Sequence, residues 1–326
     1  MAEMTYAQAL NQALDLALEA NQKVLVLGED IGHHGGVFGV TRGLLEKYGP
    51  KRIIDTPISE SGFLGAAVGA SMVGYRPVVE LMWVDFALVA MDPIVNHAAK
   101  TSYMSAGRVR VPMVVRTQQG AGRGNGAQHS QSLEAMFAQV PGLKVVMPFE
   151  PADAKGLLTT AIEDGGPVIF LEHKLLYTRK GDVPEGRHTV PFGVSAVRRH
   201  GKDVTIVALS RMVQLADAAA EQLAGEGIEA EVIDLRTLVP MDIATLTASL
   251  ARTGRMVLVQ EANRSFGWAG EVSARLMESA FDQLKAPIFR VASEDVPFPY
   301  NRNLEASVLP SVEKIVAAAH QLCADY

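Results

Sequence analysis

Residues 55–81 read DTPISESGFLGAAVGASMVGYRPVVEL. Arg52 to Asp55 is a short strand, Glu60 opens a helical segment, and Pro77 to Leu81 is an apolar strand. Within the helix, Gly62, Gly65 and Gly69 recur at helical spacing with Ala66 and Ala70. Each interior glycine costs about 1 kcal/mol against alanine. A helix that keeps three is expected to pack its backbone closely against another helix or a ligand.

The same alternation extends outward. Tyr6 to Ala20 has apolar residues three and four apart, with Thr5 placed as N-cap. Val24 to Leu27 is a strand closed by Gly28-Glu29-Asp30, and a helix around Thr41 to Tyr48 stops at Gly49-Pro50. Ala87 to Met104 is predicted helical, with a fresh start at Pro93. Pro112 to Thr117 is a strand, followed by the loop GAGRGNGAQHSQS at 120–132. A strand at Leu143 to Met147, a helix at Asp153 to Ile162 and a strand at Val168 to Glu172 follow. Short apolar strands alternating with helices predict an α/β fold, its sheet mostly parallel and covered on both faces. Proline and glycine break any period between Tyr177 and about Gly201, which reads as a linker. A second alternation then runs from Val204 to Leu322. The expected division is a first domain at 1–180, a linker at 181–201 and a smaller α/β domain at 202–326.

Composition narrows the function classes. With 48% hydrophobic residues among 326, the chain can bury a large core. Thirty Lys and Arg against 36 Asp and Glu give a net charge of -6, so nothing calls for nucleic acid or an anionic membrane. The single cysteine, Cys323, excludes an intrachain disulfide, a Cys-rich zinc site and an iron–sulfur cluster. It fits a reducing compartment. The first residues carry early acids and read as neither a secretion signal nor an Arg-rich transit peptide. No apolar run approaches the ~20 residues of a membrane span. The expected location is cytoplasmic.

Candidate sites come from the strand ends. Gly28, Gly32, Gly35 and Gly36 do not form GxGxxG, and the loop at 120–126 lacks the Lys-Ser/Thr of a P-loop. No HExxH spacing occurs among the eight histidines. His129 stands out because it follows a glycine loop after a strand, where parallel sheets place ligands. His33 and His34 hold the analogous place after the first strand. Glu60 admits two readings: a charge or cap at a helix start, or a carboxyl group in an apolar slot with raised proton affinity. Glu29 is ambiguous in the same way. Met82, Trp83 and Phe86 read as core packing, unless a planar ligand stacks on Phe86.

Longer blocks carry a resemblance. LGED (27–30), GGVFGVTRGL (35–44), DTPISE (55–60), GYRPVVELMWVDF (74–86), QHSQS (128–132), PGLKVVMP (141–148) and PVIFLEHKLLY (167–177) occur in order, followed by VIDLRTLVPMD (232–242) and TGRMVLVQEA (253–262). Together they resemble the beta subunit of thiamine-diphosphate-dependent E1 components of the pyruvate, branched-chain 2-oxo acid and acetoin dehydrogenase complexes. The resemblance covers essentially the whole chain. It implies a transketolase-like pyrimidine-binding domain, a transketolase-type C-terminal domain and an alpha2beta2 heterotetramer serving a lipoyl-bearing E2 acyltransferase. The family's GDG motif for diphosphate and Mg2+ is absent here, which assigns those ligands to the alpha subunit and half of each active site to this chain.

Residue by residue, Glu60 matches the glutamate that bonds the aminopyrimidine N1′ and promotes the imino tautomer used to deprotonate C2. Glu29 matches a second carboxylate near that ring. Phe86 matches the aromatic packed on it, with Met82 and Ile58 as neighbours. His129 matches the active-site histidine near the reacting centre. Some members hold a K+ ion on backbone oxygens; the matching residues are Met113, Ala161, Ile162, Asp164 and Gly166. VVELMWVDF, YMSAG and AQHSQ look closest to acetoin dehydrogenase beta subunits, with pyruvate and branched-chain 2-oxo acids as alternative substrates. A non-catalytic assembly subunit is the reading from a different class; Glu60, Phe86 and His129 together weigh against it.

Overall fold

The computed structural model describes residues 1–325. The chain forms two compact units, one of residues 1–119 and 136–192, the other of 120–135 and 193–326.

The first unit is built on parallel strands. Strand β1 (Ala2–Thr5) precedes β2 (Val24–Gly28), β3 (Ile53–Asp55), β4 (Arg76–Leu81), β5 (Val114–Gln119), β6 (Lys144–Val146), β7 (Val168–His173) and β8 (Lys180–Val183). Six of them pair in the order β6-β7-β5-β4-β2-β3, every pair parallel. Their side chains are buried almost throughout, as expected of a sheet covered on both faces. The chain steps from β2 to β3 on one side, then crosses back to β4 on the other. Between these connections the sheet has a topological switch point, where α/β proteins bind ligands at the carboxyl ends of strands.

The helix Tyr6–Ala20 forms where its pattern places it. Thr5 closes a capping box: its Oγ1 accepts the Gln8 N–H at 3.2 Å, and Gln8 Oε1 accepts the Thr5 N–H at 2.8 Å. Tyr6, Leu10, Leu14 and Leu18 bury one face, which packs against the helix Pro151–Glu163. The helix Glu60–Met72 packs on β4 and on residues 84–98 through Phe63, Leu64, Ala67 and Val68. Its glycines do not serve that contact. A side chain at Gly65 or Gly69 would meet no atom within 4 Å. The close packing expected of this stripe is therefore not made within the chain.

Three expectations change. The helix near Thr41 spans only Leu44–Tyr48. The predicted helix from Ala87 to Met104 is three segments: a 3-10 turn at Val84–Ala90, a π turn at Asp92–Ala98 with Pro93 at its start, and a short α-helix at Thr101–Met104. Within the stretch read as linker, β8 pairs antiparallel with β1, from Ala2 opposite Val183 to Thr5 opposite Lys180.

The second unit repeats the architecture on a smaller scale. Strands β9 (Ala196–Arg199), β10 (Val204–Ala208), β11 (Ala230–Asp234), a short β12 (Thr237–Val239), β13 (Met256–Asn263) and β14 (Phe289–Ser293) alternate with helices at 212–225, 243–253, 268–280 and 312–325. The five-stranded sheet runs β14-β13-β10-β11-β9, parallel except for β9. Asp242 caps the helix Ile243–Thr253 by accepting the Thr245 N–H at 3.1 Å, and Gly254 ends it in the left-handed conformation. No helix among the described residues is long and apolar enough to cross a membrane.

Candidate active site

At the switch point of the first unit, Glu29 follows β2 and Glu60 opens the helix after β3. The backbone there is tightly fitted. Gly28 has φ +155°, and a side chain on it would fall 2.2 Å from the Glu80 carbonyl oxygen. Only glycine lets β2 end against β4 in this way. The Gly32 N–H donates to Asp55 at 2.6 Å and fixes the following loop.

Both acids are buried, Glu29 with 3% and Glu60 with 7% of its surface exposed. Glu29 Oε1 has no hydrogen-bond partner. Among the described residues Glu60 has neither a hydrogen-bond nor an ion-pair partner. It lies in the first turn of its helix, but no side-chain bond caps the backbone. The proton affinity of Glu29 is pushed up to about 7, by burial first and then by the charges of Glu60, Asp30 and Glu80. The charge of Glu60 thus reaches Glu29, which holds a proton near neutrality.

The other expected residues are distributed unevenly. Met82 directly follows β4 and is half-buried, as is Phe86 in the 3-10 turn Val84–Ala90. Ile58 is 80% exposed. Beside them, Phe38 meets Trp83 edge-on at 5.5 Å and stacks on Tyr177 at 4.2 Å. Lys174 Nζ lies 4.5 Å over the Trp83 ring. Two cavities of this unit, about 870 Å³ beside Lys144 and about 480 Å³ beside Leu16, share no residue with Glu29, Glu60, Met82 or Phe86.

His129 belongs to the second unit and is half-buried. Its N–H donates to the Gly126 carbonyl at 3.4 Å. The same loop forms a wall of a cavity of about 430 Å³ through Ala127 and Gln131, opposite Asn263, Ser265 and Asp295.

At the turn read for potassium, Arg76 Nη1 donates to the carbonyls of Ile162 at 2.8 Å and Asp164 at 2.7 Å. The Met113 carbonyl accepts the Val168 N–H at 2.9 Å. Ala161 is buried, and Gly166 donates its N–H to the Asp164 carboxylate at 2.7 Å. Among the described residues, no group of three or more His, Cys, Asp or Glu is arranged to hold a metal ion.

Sequence reasoning missed one cluster. Arg116 on β5 donates to Glu80 on β4 at 2.7 Å and to both oxygens of Glu172 on β7, at 2.7 and 2.8 Å. Gln118 donates to Glu80 at 3.1 Å, and the Tyr177 hydroxyl donates to Glu172 at 2.6 Å. The three charged side chains are at most 2% exposed. Charged residues inside RPVVEL, VVRTQQ and VIFLEH were the available signal: strands covered on both faces must pair any charge they carry.

The family described as "Transketolase, pyrimidine binding domain" matches residues 2–180, and "Transketolase, C-terminal domain" matches 193–315. The chain is 49% identical over 325 residues to a mitochondrial pyruvate dehydrogenase E1 component subunit beta-1 of Arabidopsis thaliana, covering 98% of this chain and 90% of that protein. It is 48% identical to the mitochondrial subunit beta of Dictyostelium discoideum (98% and 91% covered) and 47% to the subunit beta of Rickettsia bellii (98% and 99%). A solved split gene transketolase, described as an inactive beta4 tetramer, superimposes with a TM-score of 0.81 at 26% identity, covering 98% of each chain. All three named subunits belong to pyruvate dehydrogenase, which supports the pyruvate alternative better than the acetoin reading. Part of the phrase that suggested acetoin reports packing instead: Leu81 and Val84 are buried scaffold. The chain belongs to the family of thiamine-diphosphate-dependent E1 beta subunits, the pyruvate dehydrogenase E1 beta family.

Proposed function

We propose that this chain is the beta half of a pyruvate-decarboxylating E1, working with an alpha chain in an alpha2beta2 assembly and passing the acyl group to a lipoyl-bearing E2. The observation that carries it is the pair Glu29 and Glu60, two buried acids at the switch point, of which Glu29 Oε1 is left without a hydrogen-bond donor. Buried carboxyls without partners are costly. An aminopyrimidine has the ring nitrogen and amino group to satisfy them.

When bound, thiamine diphosphate supplies the nucleophilic carbon and the electron sink. Glu60 holds and shares a proton at the ring nitrogen. Glu29, protonated near neutrality, spares the site a second negative charge beside Glu60. Met82 and Phe86 offer half-buried apolar surface to a planar ring, and Ile58 offers exposed surface just before the helix that Glu60 opens. His129 steadies charge or moves a proton at the reacting end, the role histidine fills near neutral pH. The diphosphate and Mg2+ fall to the alpha chain, because this sequence lacks GDG. The residues that would hold a K+ ion are Met113, Ala161, Ile162, Asp164 and Gly166; the Ile162 and Asp164 carbonyls could offer it only the lone pairs that Arg76 does not use. The single cysteine supports a reducing location, read here as the cytoplasm.

Alone, the chain is expected to bind cofactor weakly and to turn nothing over. Reconstitution with an alpha chain carrying GDG, followed by thiamine-diphosphate-dependent turnover, tests the proposal. Pyruvate should be preferred over acetoin and 3-methyl-2-oxobutanoate; preference for either of the others reassigns the substrate. Stoichiometric cofactor binding with turnover by this chain alone removes the split-site reading.

A further inference from the structure

The side chains that hold the histidine loop have no role in the reading so far. Within the second unit, the Gly120 N–H donates to the Gln131 carbonyl at 3.1 Å and closes the base of the loop. Two carboxylates reach its backbone in between. Glu261, on β13, accepts the Ala121 N–H at 2.6 Å. Glu305, on the helix Arg302–Val308, accepts the Gly124 N–H at 2.9 Å. They are 7% and 1% exposed. Glu305 Oε1 has no hydrogen-bond partner.

The loop lies directly on the segment before that helix. A side chain on Gly126 would sit 2.3 Å from the Tyr300 ring, and one on Gly124 would sit 2.8 Å from the Tyr300 carbonyl oxygen. Both glycines are also in the left-handed region. Asn301 fixes the helix by accepting the Asn303 and Leu304 N–H groups.

A buried carboxylate costs several kcal/mol unless donors meet it. An apolar side chain would fill the space at Glu305 without that cost, but it could not take the Gly124 N–H. We propose that Glu305, with Glu261, is a positioning residue: it anchors the glycine loop so that His129, three residues beyond Gly126, is presented in one orientation. This rests on the reading of His129 given above.

The test uses the alpha–beta complex loaded with thiamine diphosphate and Mg2+. In Glu305→Ala, amide hydrogen exchange over residues 120–131 should accelerate at least about tenfold while β10 and β13 exchange as in wild type. A misplaced His129 should lower kcat by about 100-fold, with KM for pyruvate within about twofold. Glu305→Gln keeps an oxygen that accepts the Gly124 N–H, so it should restore most of both properties. Unchanged loop exchange in Glu305→Ala overturns the anchor. Faster loop exchange with wild-type kcat, beside an inactive His129→Ala, overturns the positioning role. Wild-type turnover in His129→Ala removes the role of His129 and the positioning role with it, while exchange still judges the anchor separately. Exchange accelerated throughout the second unit, or no rescue by Glu305→Gln, marks general destabilisation and also overturns the proposal.

Discussion

Two groups of buried acids share the first unit's sheet and differ in one respect. Glu80 and Glu172 lie inside strands, and each receives an Arg116 guanidinium N–H and a second donor. Glu29 lies just past β2 and Glu60 opens the helix after β3; both are buried, and no cation pairs with either among the described residues. The sheet therefore satisfies the charges inside its strands, while an oxygen of Glu29, beyond the end of β2, is left without a donor. The groups also communicate, because the charge of Glu80 helps to raise the proton affinity of Glu29.

The harshest way to break the contrast is Arg116→Ala. It leaves two buried carboxylates without their cation and should cost about 3–5 kcal/mol of stability, read by urea unfolding of the chain. A cost below about 1 kcal/mol would mean that the network is not structural.

Glu60→Gln should do the reverse. Assembly and melting temperature should stay near wild type, while turnover of the complex falls several hundredfold, about 3–4 kcal/mol of barrier. Hydrogen–deuterium exchange at C2 of bound thiamine diphosphate reads the step directly. A wild-type exchange rate in a folded, saturated complex would sink the catalytic role.

Glu29 sharpens the comparison through pH. Its carboxyl holds a proton to about pH 7 in the folded chain, against 4.5 as its ordinary value. Folding is favoured by this group below the unfolded value, and the contribution is lost as pH rises through about 7. Glu29→Gln should therefore be more stable than wild type at pH 8, by about 2–3 kcal/mol, with the gap closing toward pH 4.5. Parallel stability curves for the two proteins would refute the raised affinity.

The smallest effect belongs to Gly65→Leu. The leucine side chain projects into open space in this chain and replaces a helix-interior glycine, so its stability should rise, by up to about 1 kcal/mol. If the stripe closes against the alpha chain, the same substitution should weaken assembly, visible by sedimentation of the complex. A large loss in the isolated chain would show that the helix is packed within it after all.

Local signals were legible where one residue type has one physical job. Thr5 and the apolar spacing after it announce the helix Tyr6–Ala20, and its observed bounds match. Glu29, Glu60 and His129 were legible as unusual residues at strand ends. Residues 84–104 were not, because apolar spacing does not separate repeats of three, four and five residues, and the chain uses all three. The β1–β8 ladder joins segments far apart in sequence, and neither AEMT nor KGDV alternates enough to announce a strand. Arg116 and Glu172 lie 56 residues apart, so their pairing appears only once β5 and β7 are neighbours.

The Tyr177 hydroxyl gives the paired group an optical signature. Burial first, and then the negative charge of Glu172, lifts its proton affinity well above that of a free phenol. An unfolded tyrosine ionises at about pH 10, so alkali draws the chain toward unfolding at this position. Tyrosinate absorbance from Tyr177 therefore emerges with the opening of the strands around it, and the phenol acts as an intrinsic clock for the sheet's collapse in base.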